Sequence, residues 1–172
     1  NNNENVAFMS DAGYPGISDP GHIIIEEVIK NNFNVVVING PCALIQSVIA
    51  SGLPTDHFYF YGFLNAKQSA RKKELESLKT FKDTMIFYQS PHKILSCLED
   101  MLEVFGDRQI CLCRELTKKF EEYIRGNISE IIPICESLKG EMVLVVQGYQ
   151  EVSEEAISLD ECVKLVDKKI NE

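Results

Sequence analysis

The sequence predicts an α/β protein built from two lobes, of which the first is incomplete. Two observations predict this class: short apolar runs alternate with amphipathic stretches, and turn signals separate them. A third, the turn-rich segment Gly52 to His57 without hydrophobic periodicity, predicts a boundary between the lobes. At 172 residues, 45% hydrophobic and 25% charged, the chain is long enough for one ordinary globular domain or two small ones.

The first lobe, residues 1–53, contains two predicted strands and two predicted helices. The strands are Val6 to Met9 and Val35 to Ile38, and the helices are Gly21 to Asn31 and Cys42 to Ser51. Two strands and two helices do not readily bury both faces of a parallel sheet. We therefore expect the second half of an N-terminal α/β domain, with the rest missing or supplied by another chain.

The second lobe, residues 54–150, is predicted to be a complete α/β domain, and residues 151–172 an acidic, weakly helical tail. Ser129 is expected to cap the last helix, with Glu130 behind it. The predicted strands are Phe58 to Tyr61, Thr84 to Tyr88, Gln109 to Cys113, Glu121 to Arg125 and Met142 to Val146. The predicted helices are Ser69 to Lys79, Lys93 to Phe105 and Ser129 to Leu138.

Composition excludes several classes of protein. The longest apolar runs are far shorter than the roughly twenty residues of a membrane span, so no membrane contact is expected. The net charge of −9 provides no overall field that attracts nucleic acid, so an RNA site must be a local basic patch. Six cysteines without CxxC spacing indicate neither a metal site nor a disulfide framework, and they favour a reducing, cytoplasmic location.

The loop from Ser10 to Gly21 has the densest turn chemistry of the chain. It follows a predicted strand and precedes a helix, the position where ligands bind in open α/β sheets. A stiff connection with a capping Ser18 or Asp19 is about equally compatible with the pattern, but the loop's length and its many small residues favour binding. The loop Asn39 to Ala43 occupies an equivalent position, although a tight turn is the commoner meaning of its spacing. Neither loop has a Walker or dinucleotide-binding fingerprint.

Three loops of the second lobe contain polar residues next to predicted strands: Tyr88 to His92, Arg114 to Lys118, and Lys139 to Met142. Each is a weak signal by itself. His92 follows a proline at a helix start, where a capping or surface histidine is commoner than a catalytic base. Adjacent opposite charges, as in the second loop, usually form a plain ion pair.

One basic cluster interrupts the acidic chain: Lys67, Arg71, Lys72 and Lys73. A solvated helix face paired with nearby glutamates would explain it. An RNA-backbone contact is favoured, because the cluster follows the loop Tyr61 to Ala66, and aromatic residues beside cations are typical of single-stranded RNA binding.

Seven motifs follow one another along the chain: Ser10 to Gly21, Gly40 to Ala43, Ser51 to Pro54, Gly62 to Lys67, Phe87 to His92, Arg114 to Lys118 and Gly140 to Leu144. Taken in this order, they resemble those of the RsmI family, the bacterial 16S ribosomal RNA cytidine 2′-O-methyltransferases, which have the tetrapyrrole-methylase fold. The resemblance runs from Val6 to Gly148 and implies that the chain is a fragment that starts after the family's first strand and loop.

The resemblance implies an enzyme that binds S-adenosyl-L-methionine in the cleft between two α/β lobes, forms a homodimer and acts on 16S rRNA or the small ribosomal subunit. Three positions depart from the family pattern, since Asn39, Asn65 and Gln89 stand where proline, proline and glutamate are usual. The implied cofactor residues are Ser10, Asp11, Ala12, Gly13, Ile17, Cys42, Ala43, Tyr88, Gln89, Arg114, Glu115, Leu116, Gly140, Glu141 and Met142.

Methyl transfer to a ribose hydroxyl needs alignment of donor and acceptor and a group that accepts the hydroxyl proton. Asp11 and Glu115 are the expected proton acceptors, and the four basic residues Lys67, Arg71, Lys72 and Lys73 are expected to hold RNA. Two alternatives stay open at this point. One is a tetrapyrrole methylase with the same fold, and the other is a non-catalytic RNA- or ribosome-binding fragment.

Overall fold

The computed structural model describes residues 4–11 and 13–151 and shows a five-stranded mixed sheet with helices on both faces. The strands are β1 (Phe58–Phe63), β2 (Thr84–Gln89), β3 (Gln109–Arg114), β4 (Glu122–Asn127) and β5 (Met142–Val146). The helices are α1 (His22–Lys30), α2 (Ala43–Ser51), α3 (Gln68–Leu78), α4 (Ile94–Phe105) and α5 (Ile128–Cys135), and a short 3₁₀ turn, Pro91–Lys93, precedes α4. No helix among the described residues is long and apolar enough to cross a membrane.

The strand order in the sheet is β1-β2-β5-β3-β4. Strands β1 and β2 are parallel and are connected through α3, whereas β5 runs antiparallel to both β2 and β3, and β4 runs antiparallel to β3. Strand β5, the last one in the described part of the chain, is therefore a central strand of the sheet. All five of its residues are buried, which explains their continuous apolar run.

Alternate residues of the central strands face two separate cores. Phe87, Leu112 and Leu144 pack with α3, α4 and α5 on one face. Ile86 and Val145 lie on the other face, where α2 supplies the buried Val48. Helix α2, which the sequence assigns to the first lobe, thus packs on the sheet of the second lobe.

The prediction of two strands in the first lobe is wrong. Neither Val6 to Met9 nor Val35 to Ile38 pairs with another described segment, and their side chains are exposed, with Ile38 84% accessible. A strand exists only through hydrogen bonds to a neighbouring strand, so an apolar run without a partner remains irregular. The helix predicted at Gly21 to Asn31 is confirmed as α1, but it has no buried residue.

The second-lobe elements are confirmed, with ends shifted by up to three residues. The predicted N-cap of α5 is wrong, because the helix is capped by Asn127 and not by Ser129. The Glu130 carboxylate accepts a hydrogen bond of 2.8 Å from the Asn127 N–H. Ser129 instead donates its hydroxyl to Asp107 over 2.7 Å. The predicted tail lies outside the described residues from 152 onward.

A buried ion pair fastens α3 to α4. The Arg71 guanidinium lies 2.6 Å from the Asp100 carboxylate, and both side chains are at least 96% buried. Arg71 also donates to the Ser96 carbonyl over 3.3 Å, and Gln68 donates to Asp100 over 2.8 Å. The polar groups of the pair therefore have partners without water, as burial requires.

We expect Asp100→Asn to lower the free energy of unfolding by about 3 to 5 kcal/mol, because it leaves the Arg71 charge buried without its counter-ion. Urea denaturation measures this. Glu103→Gln is the matched control, since it removes the exposed partner of Lys72 and should change stability by less than about 1 kcal/mol. Equal effects of the two substitutions would contradict the assignment of Asp100 as the structural partner.

Candidate functional site

One end of the sheet brings the three second-lobe loops together. Met142, the first residue of β5, is opposite Gln89 at the end of β2 and opposite Arg114 at the end of β3. Arg114 is in turn opposite Glu122, where β4 begins. Loops separated by more than twenty residues in the chain therefore meet at one edge. The predicted second-lobe cofactor residues at this edge are Tyr88, Gln89, Arg114, Glu115, Leu116, Gly140, Glu141 and Met142.

Glu115 holds two of these loops together. Its carboxylate accepts a hydrogen bond of 2.8 Å from the Glu141 N–H, and its own N–H donates to the Glu141 carbonyl over 2.9 Å. Lys118 adds ion pairs to both glutamates, at 3.3 Å to Glu115 and 3.0 Å to Glu141. We call this arrangement the Glu115 latch. Glu115 has a φ of +51°, a conformation that a non-glycine residue rarely adopts.

Gly140 leaves the space that the latch needs. A Cβ at this position would collide with the Glu115 carboxylate, and the φ of +98° is itself unfavourable for any other residue. The hydrogen bond from Glu141 holds the pKa of the Glu115 carboxyl below its usual value, and Lys118 and Arg114 act in the same direction. A carboxylate with a lowered pKa and occupied lone pairs is a weak proton acceptor.

Arg114 and Gln89 have structural partners at this edge. Arg114 lies 2.8 Å from the Glu122 carboxylate and donates to the Lys139 carbonyl over 3.2 Å, so it connects β4 to the loop before β5. The buried Gln89 lies near Cys97 on α4, and its carbonyl oxygen accepts from the Ser90 N–H over 2.9 Å. The Gln89 side chain therefore belongs to the face that α3, α4 and α5 cover.

Tyr88 points to the opposite face, toward the second loop of the first lobe. Burial raises the pKa of its phenol, the nearby Cys42 thiol raises it further, and the N–H of Leu44 directed at the phenol acts in the other direction. Ala43 packs in the same cluster. Three of the residues predicted for the cofactor cleft, Cys42 and Ala43 from the first lobe and Tyr88 from the second, thus lie close together.

The long loop of the first lobe, Ser10 to Gly21, contacts the two segments beside this meeting point, the loop Asn39 to Ala43 and strand β1. The Tyr14 hydroxyl accepts a hydrogen bond of 3.0 Å from the Gly40 N–H. Ser18 lies against Gly62 of β1. Asp11 and Gly13 are exposed and Ser10 is partly exposed, whereas Ala12 lies outside the described residues.

An open, mostly apolar cavity of about 840 Å³ lies between the long loop and α2. Small-molecule sites typically occupy ~300 to 1,000 Å³, so its size suits a ligand of cofactor dimensions. Ile17 and Cys42 are the predicted cofactor residues in its wall. The cavity is also lined by Tyr14, Pro15, Val37, Gly40, Leu44, Ile45, Gln46, Ile49 and Ala50.

The basic cluster does not form one surface. Arg71 is buried in its ion pair with Asp100, and Lys72 is bound to Glu103 over 2.6 Å. Lys67 and Lys73 are exposed and have no salt bridge within the described residues. The structure therefore leaves two of the four predicted cations available to an external anion.

Sequence reasoning missed two residues of this region, Tyr14 and Gln46. Tyr14 connects the two first-lobe loops, and the Gln46 amide donates to Glu121 and Tyr123 over 3.0 Å each, which ties α2 to the sheet edge. Tyr14 could have been found because it is a large side chain within a loop of small residues. Gln46 could have been found because it is a polar residue on an otherwise apolar helix.

We expect Gly140→Ala to lower the free energy of unfolding by about 1 to 3 kcal/mol more than Gly52→Ala. Both glycines have a positive φ, but a Cβ at Gly52 meets no atom within 4 Å, so the difference isolates the collision with Glu115. Thermal unfolding measures stability, and hydrogen exchange should show loss of protection at the Glu141 amide. In a double variant, Glu115→Ala should relieve the extra cost; additive effects would contradict the latch.

Comparison with known proteins identifies relatives of this chain. It is 47% identical over 156 residues to a protein of Bacillus subtilis (strain 168) named Ribosomal RNA small subunit methyltransferase I, a match that covers 88% of this chain and 53% of the relative. Proteins of the same name from Streptococcus pyogenes serotype M18 and Vibrio cholerae are each 46% identical, over 96% and 88% of this chain and 58% and 54% of theirs. The chain therefore spans a little over half the length of these relatives.

Solved structures support the fold. The methyltransferase CobJ matches with a TM-score of 0.59 at 18% identity, over 82% of this chain and 64% of CobJ. The Uroporphyrin-III C-methyl transferase of Thermus thermophilus, in complex with S-adenyl homocysteine, matches with a TM-score of 0.50 at 13% identity, over 74% of this chain and 58% of that one. The family model of the Tetrapyrrole (Corrin/Porphyrin) Methylases matches residues 1–132, and the chain belongs to this family.

Proposed function

We propose that this chain is part of an S-adenosyl-L-methionine-dependent methyltransferase that modifies the ribose 2′-hydroxyl of a cytidine in 16S ribosomal RNA. The observation that carries the proposal is the meeting of Cys42 and Ala43 with Tyr88 beside the apolar cavity. The names of the relatives support methyl transfer and a small-subunit ribosomal RNA substrate, whereas the ribose 2′-hydroxyl and the cytidine come from the resemblance to the RsmI family. A homodimer, which the family resemblance implies, and a cytoplasmic location, which the cysteine pattern favours, belong to the same proposal.

The geometry fits the cofactor. The cavity has the volume of a small-molecule site, its wall is apolar, and the Tyr14 hydroxyl is among the polar groups at its boundary. Ile17 and Cys42 would hold the cofactor from the first lobe, and Tyr88 and Leu116, which share the face that α2 covers, from the end of the sheet. When bound, the sulfonium cofactor supplies an activated methyl group.

What the protein must add is alignment and a proton acceptor. The hydroxyl oxygen has to approach the methyl group in line with the breaking bond, with reacting atoms about 3 to 3.5 Å apart. The Glu115 latch fixes the loop that carries Leu116 against the start of β5 and so helps to shape the site. Asp11, exposed in the long loop, is the proposed acceptor of the hydroxyl proton, because the Glu115 carboxylate is already occupied.

Titration with S-adenosylhomocysteine tests the cofactor site without RNA or turnover. We expect saturable one-site binding by calorimetry, and a loss of at least about tenfold in affinity for Ile17→Trp, which fills the cavity. Ile23→Trp is the matched control because Ile23 is exposed on α1 and does not line the cavity. If this chain does not bind, the titration is repeated on the longer protein that contains it. Absence of binding in both would contradict the proposal.

Asp11→Asn tests the proton acceptor. We expect the single-turnover rate of methyl transfer to small ribosomal subunits to fall by about 10² to 10⁴-fold, since the amide accepts no proton, while S-adenosylhomocysteine affinity changes little. The assay uses the longer protein with labelled cofactor. Glu115→Gln is the comparison: its amide oxygen can still accept from the Glu141 N–H, so a smaller loss is expected. An unchanged rate for Asp11→Asn would exclude Asp11 from this role.

A further inference from the structure

A bulge in β1 changes the direction of one aromatic side chain. Along the parallel pair, Phe60 is opposite Ile86 and Phe63 is opposite Tyr88, so β1 contains one residue more than β2 over this interval. In a regular strand, residues three apart lie on opposite faces. The extra residue places Phe60 and Phe63 on the same face, and bulges next to functional sites commonly re-aim a side chain in this way.

Ring contacts confirm this direction. The Phe60 and Phe63 rings lie 4.9 and 5.5 Å from the Tyr88 ring, both in edge-to-face geometry. Tyr61, the first of the two residues between them, turns to the other face and contacts Phe87 at 5.5 Å. Tyr88 is also the residue that approaches Cys42. Phe63 therefore stands directly beside the point where the two lobes meet.

Gly62 makes the bulge possible. Its φ of +84° suits glycine, and a Cβ there would lie 3.3 Å from the Ser18 hydroxyl oxygen. The long loop of the first lobe thus packs on the bulge itself. The direction of Phe63 and the position of that loop depend on the same residue.

Phe63 remains 59% exposed although it contacts Tyr88. A large aromatic ring held on one side and open to solvent on the other offers a flat surface at low entropic cost. Lys67 follows four residues later, exposed and without a salt bridge among the described residues. Aromatic rings that stack on bases, next to cations that contact phosphates, are the combination by which proteins bind unpaired RNA.

We propose that Phe63 is the ring on which a base of the unpaired RNA substrate stacks, and that the Gly62 bulge directs it to the cofactor cleft. This inference rests on the proposed function and adds a substrate-recognition residue to it. Lys67 contributes a phosphate contact in the same loop. The competing role for Phe63 is stacking on the adenine of the cofactor, and affinity for cofactor and RNA measured separately distinguishes the two roles.

The probe is a short, unpaired oligoribonucleotide that carries one fluorescent cytosine analogue, titrated against the full chain and its variants. We expect Phe63→Leu to weaken binding by roughly 5- to 150-fold and to remove the fluorescence change caused by stacking. Phe63→Tyr should restore both. Lys67→Gln should weaken binding and reduce the slope of log affinity against log salt by about 0.7.

Phe58→Leu is the matched control, because Phe58 is a partly exposed phenylalanine on the same strand at the opposite end of the sheet. It should leave RNA affinity unchanged. Titration with S-adenosylhomocysteine should give the same affinity for Phe63→Leu as for the parent chain, and far-UV circular dichroism checks that the fold is intact.

Three results would overturn the proposal. Unchanged RNA binding by Phe63→Leu would exclude stacking on this ring. A parallel loss of S-adenosylhomocysteine affinity would assign the ring to the cofactor instead. If the parent chain binds S-adenosylhomocysteine but not the oligonucleotide, Phe63 is rejected as an RNA contact and the methyltransferase proposal stands. Absence of S-adenosylhomocysteine binding in both the chain and the longer protein is a separate result, which would reject the proposed function itself.

Discussion

Insertion of β5 between β2 and β3 is the constraint on which the rest of the structure depends. Its antiparallel register with both neighbours places Met142 opposite Gln89 and Arg114. Each residue of the strand is buried, and its alternate residues pack into the two separate cores, so a slip by one position would move every side chain into the opposite core and disrupt the packing of both. The register is therefore strongly specified by packing. The positions of the three loops at the sheet edge follow from it.

The pairing of β3 with β5 brings two loops close enough for their charged side chains to interact. The latch between Glu115, Glu141 and Lys118 forms because two loops distant in sequence begin and end at paired residues. The Glu115 carboxylate, an expected proton acceptor, holds the Glu141 backbone in place, and the same hydrogen bond is the main cause of its lowered pKa.

In the basic cluster, too, one charged side chain has a structural role while others remain exposed to solvent and able to bind an anion. Arg71 is the member with the greatest capacity for phosphate recognition, yet Asp100 binds it in the interior between α3 and α4. Its guanidinium also lies near the Ala66 carbonyl, so it supports the loop that carries Lys67. Arg71 faces α4 in the interior, whereas Lys67 and Lys73 face solvent, so cations close in sequence have different surroundings.

The sequence by itself determined the class of fold, the second-lobe elements and the family, because these depend on local periodicity, turn residues and ordered motifs. Tertiary structure decided the remainder. Val6 to Met9 and Val35 to Ile38 have the pattern of strands but lack a partner among the described residues, and no local signal reports a missing hydrogen-bonding neighbour. The burial of Arg71, the occupied lone pairs of Glu115 and the direction of Phe63 likewise depend on residues distant in the chain or on an adjacent strand. Sequence specifies which residues are able to make such contacts, but only the packed sheet determines which contacts form.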